Sequence, residues 1–373
     1  MKLKIFSDRN FLPTGMAPSS ILYPFWSDLH SGKIYSWISP YNRYVEVGQS
    51  FFEMVPLEDS DIAILPMDWR SIRGDSWRGS SDKNAEQLAI QFAELVHQAG
   101  KPLVVFFGSE CSDESIPIKD AVVLRQSVYQ SLPQFANSPI FPFFCEDFVK
   151  EFLENQLPIR QKGQKPTVGF RGFARPLSLD RRVKTLVYHG MMLSKEGRLG
   201  ASPYKGESLR VKALNILSNH PEIESKIKIF DRAVFFDAAD PDQKRNARME
   251  YVQNLIDSDY TFCCRGSGNY SNRFYEVLSC GRIPIFLDTD CKLPLDTLID
   301  WKKYCVWVDE KELSYIGEKV LDFHNSLSPQ EFVDLQYACR ELWLRWLSPE
   351  GFYSNLHLYL QNLKKQLVYD VAR

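Results

Sequence analysis

A strand that ends in a glycine-rich turn and runs on into a helix constrains this chain more than any other feature. The stretch is Asp259–Glu310, DYTFCCRGSGNYSNRFYEVLSCGRIPIFLDTDCKLPLDTLIDWKKYCVWVDE. Tyr260–Cys264 is apolar and β-rich, Arg265–Tyr270 has turn chemistry, Ser271–Ser279 has helical spacing, and Arg282–Leu287 is a second short apolar run. Strand, turn, helix and strand make a βαβ unit, which fixes the class as α/β. Such a unit puts its turn at the carboxyl end of a parallel strand, where open α/β sheets bind ligands, and leaves the first amides of the helix without intrahelical partners. An anion belongs there. Gly266 and Gly268 let the backbone approach a ligand, and Arg265 and Arg273 flank the turn, so two guanidinium groups and the amides near Ser271 and Asn272 are expected to share a phosphate-rich ligand. Glu276, one helical turn beyond Arg273, is suited to accept hydrogen bonds from hydroxyls such as those of a ribose.

The same glycines stand as G-x-G-x-x-S, close to a dinucleotide fingerprint, and Asp288 closes the next strand. A nicotinamide-dependent oxidoreductase is therefore one reading. Against it, the third glycine is missing, an arginine precedes the motif, and Thr167–Phe170 already supplies an earlier strand to this half.

RGSGNYSNRFYEVLSCGRIPIFLDTD, followed by LIDWKKYCVWVDEKEL, resembles the carboxyl half of the exostosin domain, glycosyltransferase family 47. Upstream, Asp59–Trp69 (DSDIAILPMDW) looks like that family's Asp-Ile-Phe-Phe-Val-Pro strand, and Val168–Arg182 (VGFRGFARPLSLDRR) looks like the segment opening its second domain. The resemblance implies a GT-B architecture, two Rossmann-like domains facing each other across a cleft. It also implies inverting transfer of a sugar from a nucleotide-diphosphate sugar to a glycan or glycoconjugate hydroxyl. Uridine is the expected donor base, with guanosine left open. Arg171 and one of Arg181 and Arg182 join the donor site on this reading. Because arginines can neutralise the leaving diphosphate, neither a metal nor a cofactor is expected. Asp288 and Asp290 are read as ending a strand or orienting substrate, not as metal ligands. A non-catalytic glycan-binding or scaffold relative is the third reading.

Composition sets the remaining bounds. At 373 residues and 44% hydrophobic the chain is too long for one ordinary domain. A net charge of −2 argues against a sequence-independent nucleic-acid binder. No apolar run is long enough to span a bilayer, and the amino terminus reads as a core strand, not a signal peptide, so a cytoplasmic enzyme is expected, with contact at a membrane surface left open. The eight cysteines form no C-x-x-C pair or zinc spacing, which fits a reduced compartment.

In chain order, strands are expected at Leu3–Phe6, Ile62–Leu65, Pro102–Phe107 and Ala121–Leu124, and helices at Ser20–Leu29 and Lys83–Gln98. A polar, proline-flanked linker at 157–166 places an acceptor-side domain at 1–160, a nucleotide-sugar domain at 161–342, and a final helical segment, 343–373, returning to the first. The second half alternates strand Thr167–Phe170, helices Ser178–Leu193 and Glu207–Ser218, strand Lys226–Phe230 and helix Asp242–Asp257, and is helical from Phe323. Inverting transfer needs a base for the acceptor proton. Candidates are loop carboxylates of the first domain: Glu110 and Asp113, then Asp68 and Asp75. Trp37, Tyr41, Trp69 and Trp77 are candidates for stacking on acceptor sugars.

Overall fold

The computed structural model describes residues 2–29, 39–74, 81–135, 137–176, 178–192, 204–230, 240–358 and 360. The chain divides into two compact units, one of Met1–Phe144, Lys292–Leu295 and Arg345–Arg373, the other of Cys145–Cys291 and Asp296–Leu344.

The first unit is built on a five-stranded sheet of β1 (Leu3–Phe6), β2 (Phe52–Met54), β3 (Ile62–Ile64), β4 (Leu103–Phe107) and β5 (Ala121–Arg125), in the order β2-β1-β3-β4-β5. Every pairing is parallel. All five residues of β4 are buried, as a central parallel strand covered on both faces requires. The helix Lys83–Gln98 packs its stripe of Ala85, Ala89, Phe92 and Val96 into the core, and Asp82 caps it by accepting from the Asn84 and Ala85 amides at 3.1 Å. Burying Phe92 and Val96 stabilises this contact by about 1.5–3 kcal/mol each.

Ser20–Leu29, expected as one helix, is instead two short 3₁₀ turns, Ser20–Leu22 and Ser27–Leu29. Pro24 lies between them and has no amide to continue a helix.

The second unit repeats the plan. β6 (Thr167–Phe173), β7 (Glu224–Phe230), β8 (Tyr260–Cys263), β9 (Ile283–Asp288) and β10 (Val306–Asp309) form an all-parallel sheet in the order β10-β9-β8-β6-β7. Read from the other edge, this is the same order as the first sheet: second strand, first, third, fourth, fifth. Both units are therefore Rossmann-like, with the strand order reversing between their first and third strands. Helices Leu179–Met192, Lys205–Asn219, Pro241–Ile256 and Asn272–Ser279 connect the strands. Ile316–Ser326 and Pro329–Leu342 follow, the latter opened by a Ser328/Glu331 capping box.

The expectation of continuous helix from Phe323 is interrupted at Pro329, by a π-turn at Trp343–Leu347, and at Ser348, which caps the short helix Pro349–Ser354. That last helix belongs to the first unit, where the Tyr353 hydroxyl is 2.7 Å from Ser20 Oγ.

Among the described residues no helix is long and apolar enough to cross a membrane. All eight cysteines are buried thiols, none of them in a disulfide. Burial pushes the thiols of Cys145, Cys263, Cys264, Cys280, Cys291, Cys305 and Cys339 up, Cys264 to about 11 and Cys280 to about 12, so they pack as small hydrophobes. Ellman's reagent is accordingly expected to titrate none of the eight within minutes under native conditions and all of them in denaturant.

Candidate functional site

The reversal of strand order in the second unit falls between β6 and β8, and the glycine-rich loop leaves β8 at that point. Strand β8 is buried along its whole length, so the chain first meets polar surroundings at Arg265. The loop is a built object. Asn269 is fully buried; its Oδ1 accepts from Arg265 Nη1 at 3.2 Å and from the Thr289 hydroxyl at 2.7 Å, and its Nδ2 donates to Asp290 O at 3.0 Å. One amide side chain thus ties the loop after β8 to the loop after β9. Gly206 opens the Lys205–Asn219 helix directly behind it, where a Cβ would stand 2.4 Å from Arg265 O and 2.8 Å from Gly266 O. Only glycine fits this approach.

Arg265, expected to face a ligand, is 3% exposed. Its guanidinium donates to Ser267 O at 2.8 Å and to Asn269, so it shapes the loop from within. Gly268 is buried and Gly266 partly so. Ser271 stands at the N-cap of Asn272–Ser279 but makes no side-chain capping bond, and the first turn carries no acidic residue. Among the described residues the opening amides, from Asn272 on, are left without a side-chain acceptor, and the helix dipole adds a positive end.

Two guanidinium groups stand beside this end. Arg273 lies 3.9 Å over the Phe170 ring, donates to Arg171 O at 2.8 Å and reaches the Tyr251 hydroxyl at 3.3 Å. Arg210 donates to Phe173 O at 2.8 Å and to Arg265 O at 3.2 Å, bridging the end of β6 and the loop. Burial lowers the Arg210 pKa, and Arg273 lowers it further. Among the described residues neither arginine has a carboxylate partner. Arg273 is held by a carbonyl, a hydroxyl and two ring faces, and Arg210 by two carbonyls with Glu207 as a more distant counter-charge on its own helix; such contacts hold a guanidinium in place without a direct ion pair.

The other expected arginines are placed differently. Arg171 pairs with Glu250 and Arg181 with Glu207, so each already has a counter-charge. The side chain of Arg182 lies outside the described residues. Glu276 is buried and is held by Arg248 Nη1 at 3.2 Å and by the Tyr251 hydroxyl at 2.6 Å.

In the first unit, Asp68 caps the helix Trp69–Arg73 by accepting from the Arg70 amide at 2.8 Å, and both its oxygens lie 3.3 Å from the Gly108 amide. Glu110 is exposed and Asp113 partly buried, both in the segment after β4. The neighbouring Glu114 is occupied by a two-pronged pair with Arg73. Trp69 is buried in the core, and Tyr41 packs edge-on against Tyr23 and Phe144. Trp37, Trp77 and Asp75 lie outside the described residues.

Arg210, Asn269, Arg248 and Tyr251 are not singled out by sequence. The glycine turn follows the third strand of its sheet, not the first, so it does not occupy the fingerprint position of a dinucleotide-binding unit.

Residues 182–321 match the model of the Exostosin GT47 domain. The chain is 32% identical over 107 residues to Exostosin-1 of Drosophila melanogaster and 28% identical over 109 residues to Exostosin-1a of Danio rerio. Each alignment covers 29% of this chain and 14% of the relative, so the chain matches about a seventh of those proteins' length. Among solved structures, TarM aligns with a TM-score of 0.30 at 10% identity, over 75% of this chain and 59% of TarM. The catalytic domain of starch synthase IV from Arabidopsis thaliana, bound to ADP and acarbose, aligns at 0.31 and 10%, over 97% and 99%. Similarity at those scores carries no functional weight.

Proposed function

We propose that this chain, whose residues 182–321 match the model of the Exostosin GT47 domain, is a glycosyltransferase moving a sugar from a nucleotide-diphosphate sugar to a hydroxyl of a glycan or glycoconjugate. The observation that carries the reading is the pair Arg210 and Arg273, two guanidinium groups that among the described residues form no carboxylate ion pair, beside a helix start that Ser271 does not cap with its side chain, at the point where the strand order reverses. A leaving nucleoside diphosphate gathers negative charge as the glycosidic bond breaks, and fixed positive groups aimed at it lower that barrier. On this reading the diphosphate lies against the amides of Asn272 and Arg273, between Arg210 and Arg273. Glu276, one turn along the same helix, accepts from a ribose hydroxyl. Arg265 and Asn269 keep the loop in the shape that exposes those amides.

The donor is proposed to be a uridine diphosphate sugar and the transfer to invert the anomeric centre, with these arginines supplying the charge that a metal supplies elsewhere. Glu110 or Asp113 takes the acceptor proton. Asp68 is the weaker choice for that step, because its oxygens already serve the Arg70 and Gly108 amides.

The test is a panel of nucleotide-sugars assayed for hydrolysis and for transfer. The wild type is expected to consume one donor class, and Arg210→Gln to lower kcat/KM by roughly 10- to 100-fold with the fold intact by circular dichroism. A folded wild type that consumes no donor and binds neither UDP nor GDP would remove the reading.

A further inference from the structure

The helix Pro241–Ile256 lies outside the loop and helix that form the donor site, yet two of its side chains, Arg248 and Tyr251, close around Glu276. They are three residues apart, which puts them on one face of that helix. Arg248 reaches Glu276 Oε1 at 3.2 Å and Glu146 Oε2 at 3.4 Å, and its guanidinium sits 4.5 Å from the Phe148 ring. The Tyr251 hydroxyl donates to Glu276 Oε2 at 2.6 Å and accepts from Arg273 Nε at 3.3 Å. The Tyr251 ring is itself packed edge-on by Phe148. A single phenol oxygen therefore fixes the spacing between the two side chains that the helix Asn272–Ser279 presents, Arg273 and Glu276. Each carboxylate oxygen of Glu276 is held by a different partner, so its plane is set and not merely its position. Its side chain keeps 11% of its surface open.

We propose that Tyr251, seconded by Arg248, is the positioning residue that sets Glu276 and Arg273 in register for a nucleoside diphosphate. This rests on the donor reading above. The hydroxyl does no chemistry and touches no reacting atom. Its part is to hold a hydrogen-bond acceptor and a cation at a fixed separation, so that ribose and diphosphate are read together and not one at the expense of the other. Without it the Glu276 carboxylate keeps Arg248 alone and can rotate, while Arg273 keeps its carbonyl and ring contacts but loses its tie to Glu276.

Tyr251→Phe removes one oxygen and preserves the ring packing. By isothermal titration with UDP and with GDP, it is expected to weaken the tighter of the two about tenfold, the worth of a hydrogen bond to a charged group. In the nucleotide-sugar assay the loss should fall on the donor KM, with kcat within about threefold. Glu276→Gln is expected to weaken binding comparably, and the Tyr251→Phe/Glu276→Gln double variant to be no weaker than the poorer single variant, since the two act as one unit. Arg248→Lys keeps the charge but cannot reach both Glu146 and Glu276, and is expected to show a smaller loss of the same kind. Wild-type affinity in Tyr251→Phe, or losses that simply add in the double variant, would overturn the positioning role while leaving the donor reading standing. A wild type that binds neither nucleotide would instead sink the donor reading, and this proposal with it.

Discussion

Arg273→Ala is expected to lower donor turnover by about two to three orders of magnitude, the cost of removing one preorganised charge from a site that stabilises a developing anion. The size follows from how the guanidinium is held. It rests on the Phe170 ring at 3.9 Å and on Arg171 O at 2.8 Å, both of which fix its direction, and neither cancels its charge. A guanidinium so placed costs no rearrangement when a diphosphate leaves, which is the condition under which such a group contributes most to the rate. Arg273→Lys should recover little, because an ammonium has no planar fork to satisfy the carbonyl, the Tyr251 hydroxyl and a phosphate together. Stability should change far less than activity, since the ring and carbonyl contacts of one partly buried cation contribute on the order of 1–2 kcal/mol. The measurement is steady-state transfer beside a thermal melt of both variants. Turnover of Arg273→Ala within threefold of wild type would strip this residue of its role at the diphosphate.

What the sequence discloses is local, and what it withholds is tertiary. The loop after β8 is legible because glycine and serine interrupt two apolar runs at the spacing of a βαβ unit, and Lys83–Gln98 is legible because its apolar residues recur at helical period behind an aspartate cap. The strand β10 escapes a reading by pattern although Val306 and Val308 alternate with Trp307 and Asp309; its run is only four residues long. β2, at three residues, offers no period at all. Within the site, Arg265 and Arg273 look alike in sequence, each an arginine flanking a turn. Asn269 turns the first inward and Phe170 holds the second, and neither neighbour announces that from its own position. The counter-charges of Arg171 and Arg181, Glu250 and Glu207, come from helices that sequence spacing cannot place against them. Arg210 is invisible for the converse reason: it sits in an ordinary helix, and only the fold brings it to the carbonyls of Phe173 and Arg265. By position along the chain Arg273 and Arg282 are the natural ion partners of Glu276, whereas Arg248 is the one that reaches it.

Arg282 has a different task, and its replacement carries the largest expected loss of stability. It is fully buried, and among the described residues it faces no carboxylate within ion-pair distance. Its Nη2 donates to Pro158 O at 2.7 Å and to Ile256 O at 2.9 Å, and its Nη1 donates to Gln336 Oε1 at 3.2 Å. One side chain thus joins the 157–166 segment, the end of the Pro241–Ile256 helix and the Pro329–Leu342 helix. Gln336 completes the joint through Arg160 O and Phe332 O, and Arg160 pairs with Asp259, whose other oxygen accepts from the Thr167 amide. Gly281 lets the chain enter this point: its φ is +61°, and a Cβ there would stand 2.9 Å from Gln336 O. Arg282→Met keeps much of the volume but takes the donor from two part-buried carbonyls, Pro158 O and Ile256 O, while Gln336 Oε1 keeps the Arg160 amide at 2.9 Å. Each orphaned acceptor costs about 1–3 kcal/mol, and relief from burying the charge returns part of that, for a net loss of about 3 kcal/mol. In a unit of this size the midpoint of thermal unfolding should fall by roughly 10 °C. Donor turnover per folded molecule, measured well below that midpoint, should stay near wild type, because no contact of Arg282 reaches the helix start at Asn272. A melting temperature unchanged within about 2–3 °C would mean that the cost of desolvating the guanidinium cancels what its hydrogen bonds contribute, and that the segment before β6 is held by its other contacts, Arg160 with Asp259 and Gln336, and Gly163 O with His324.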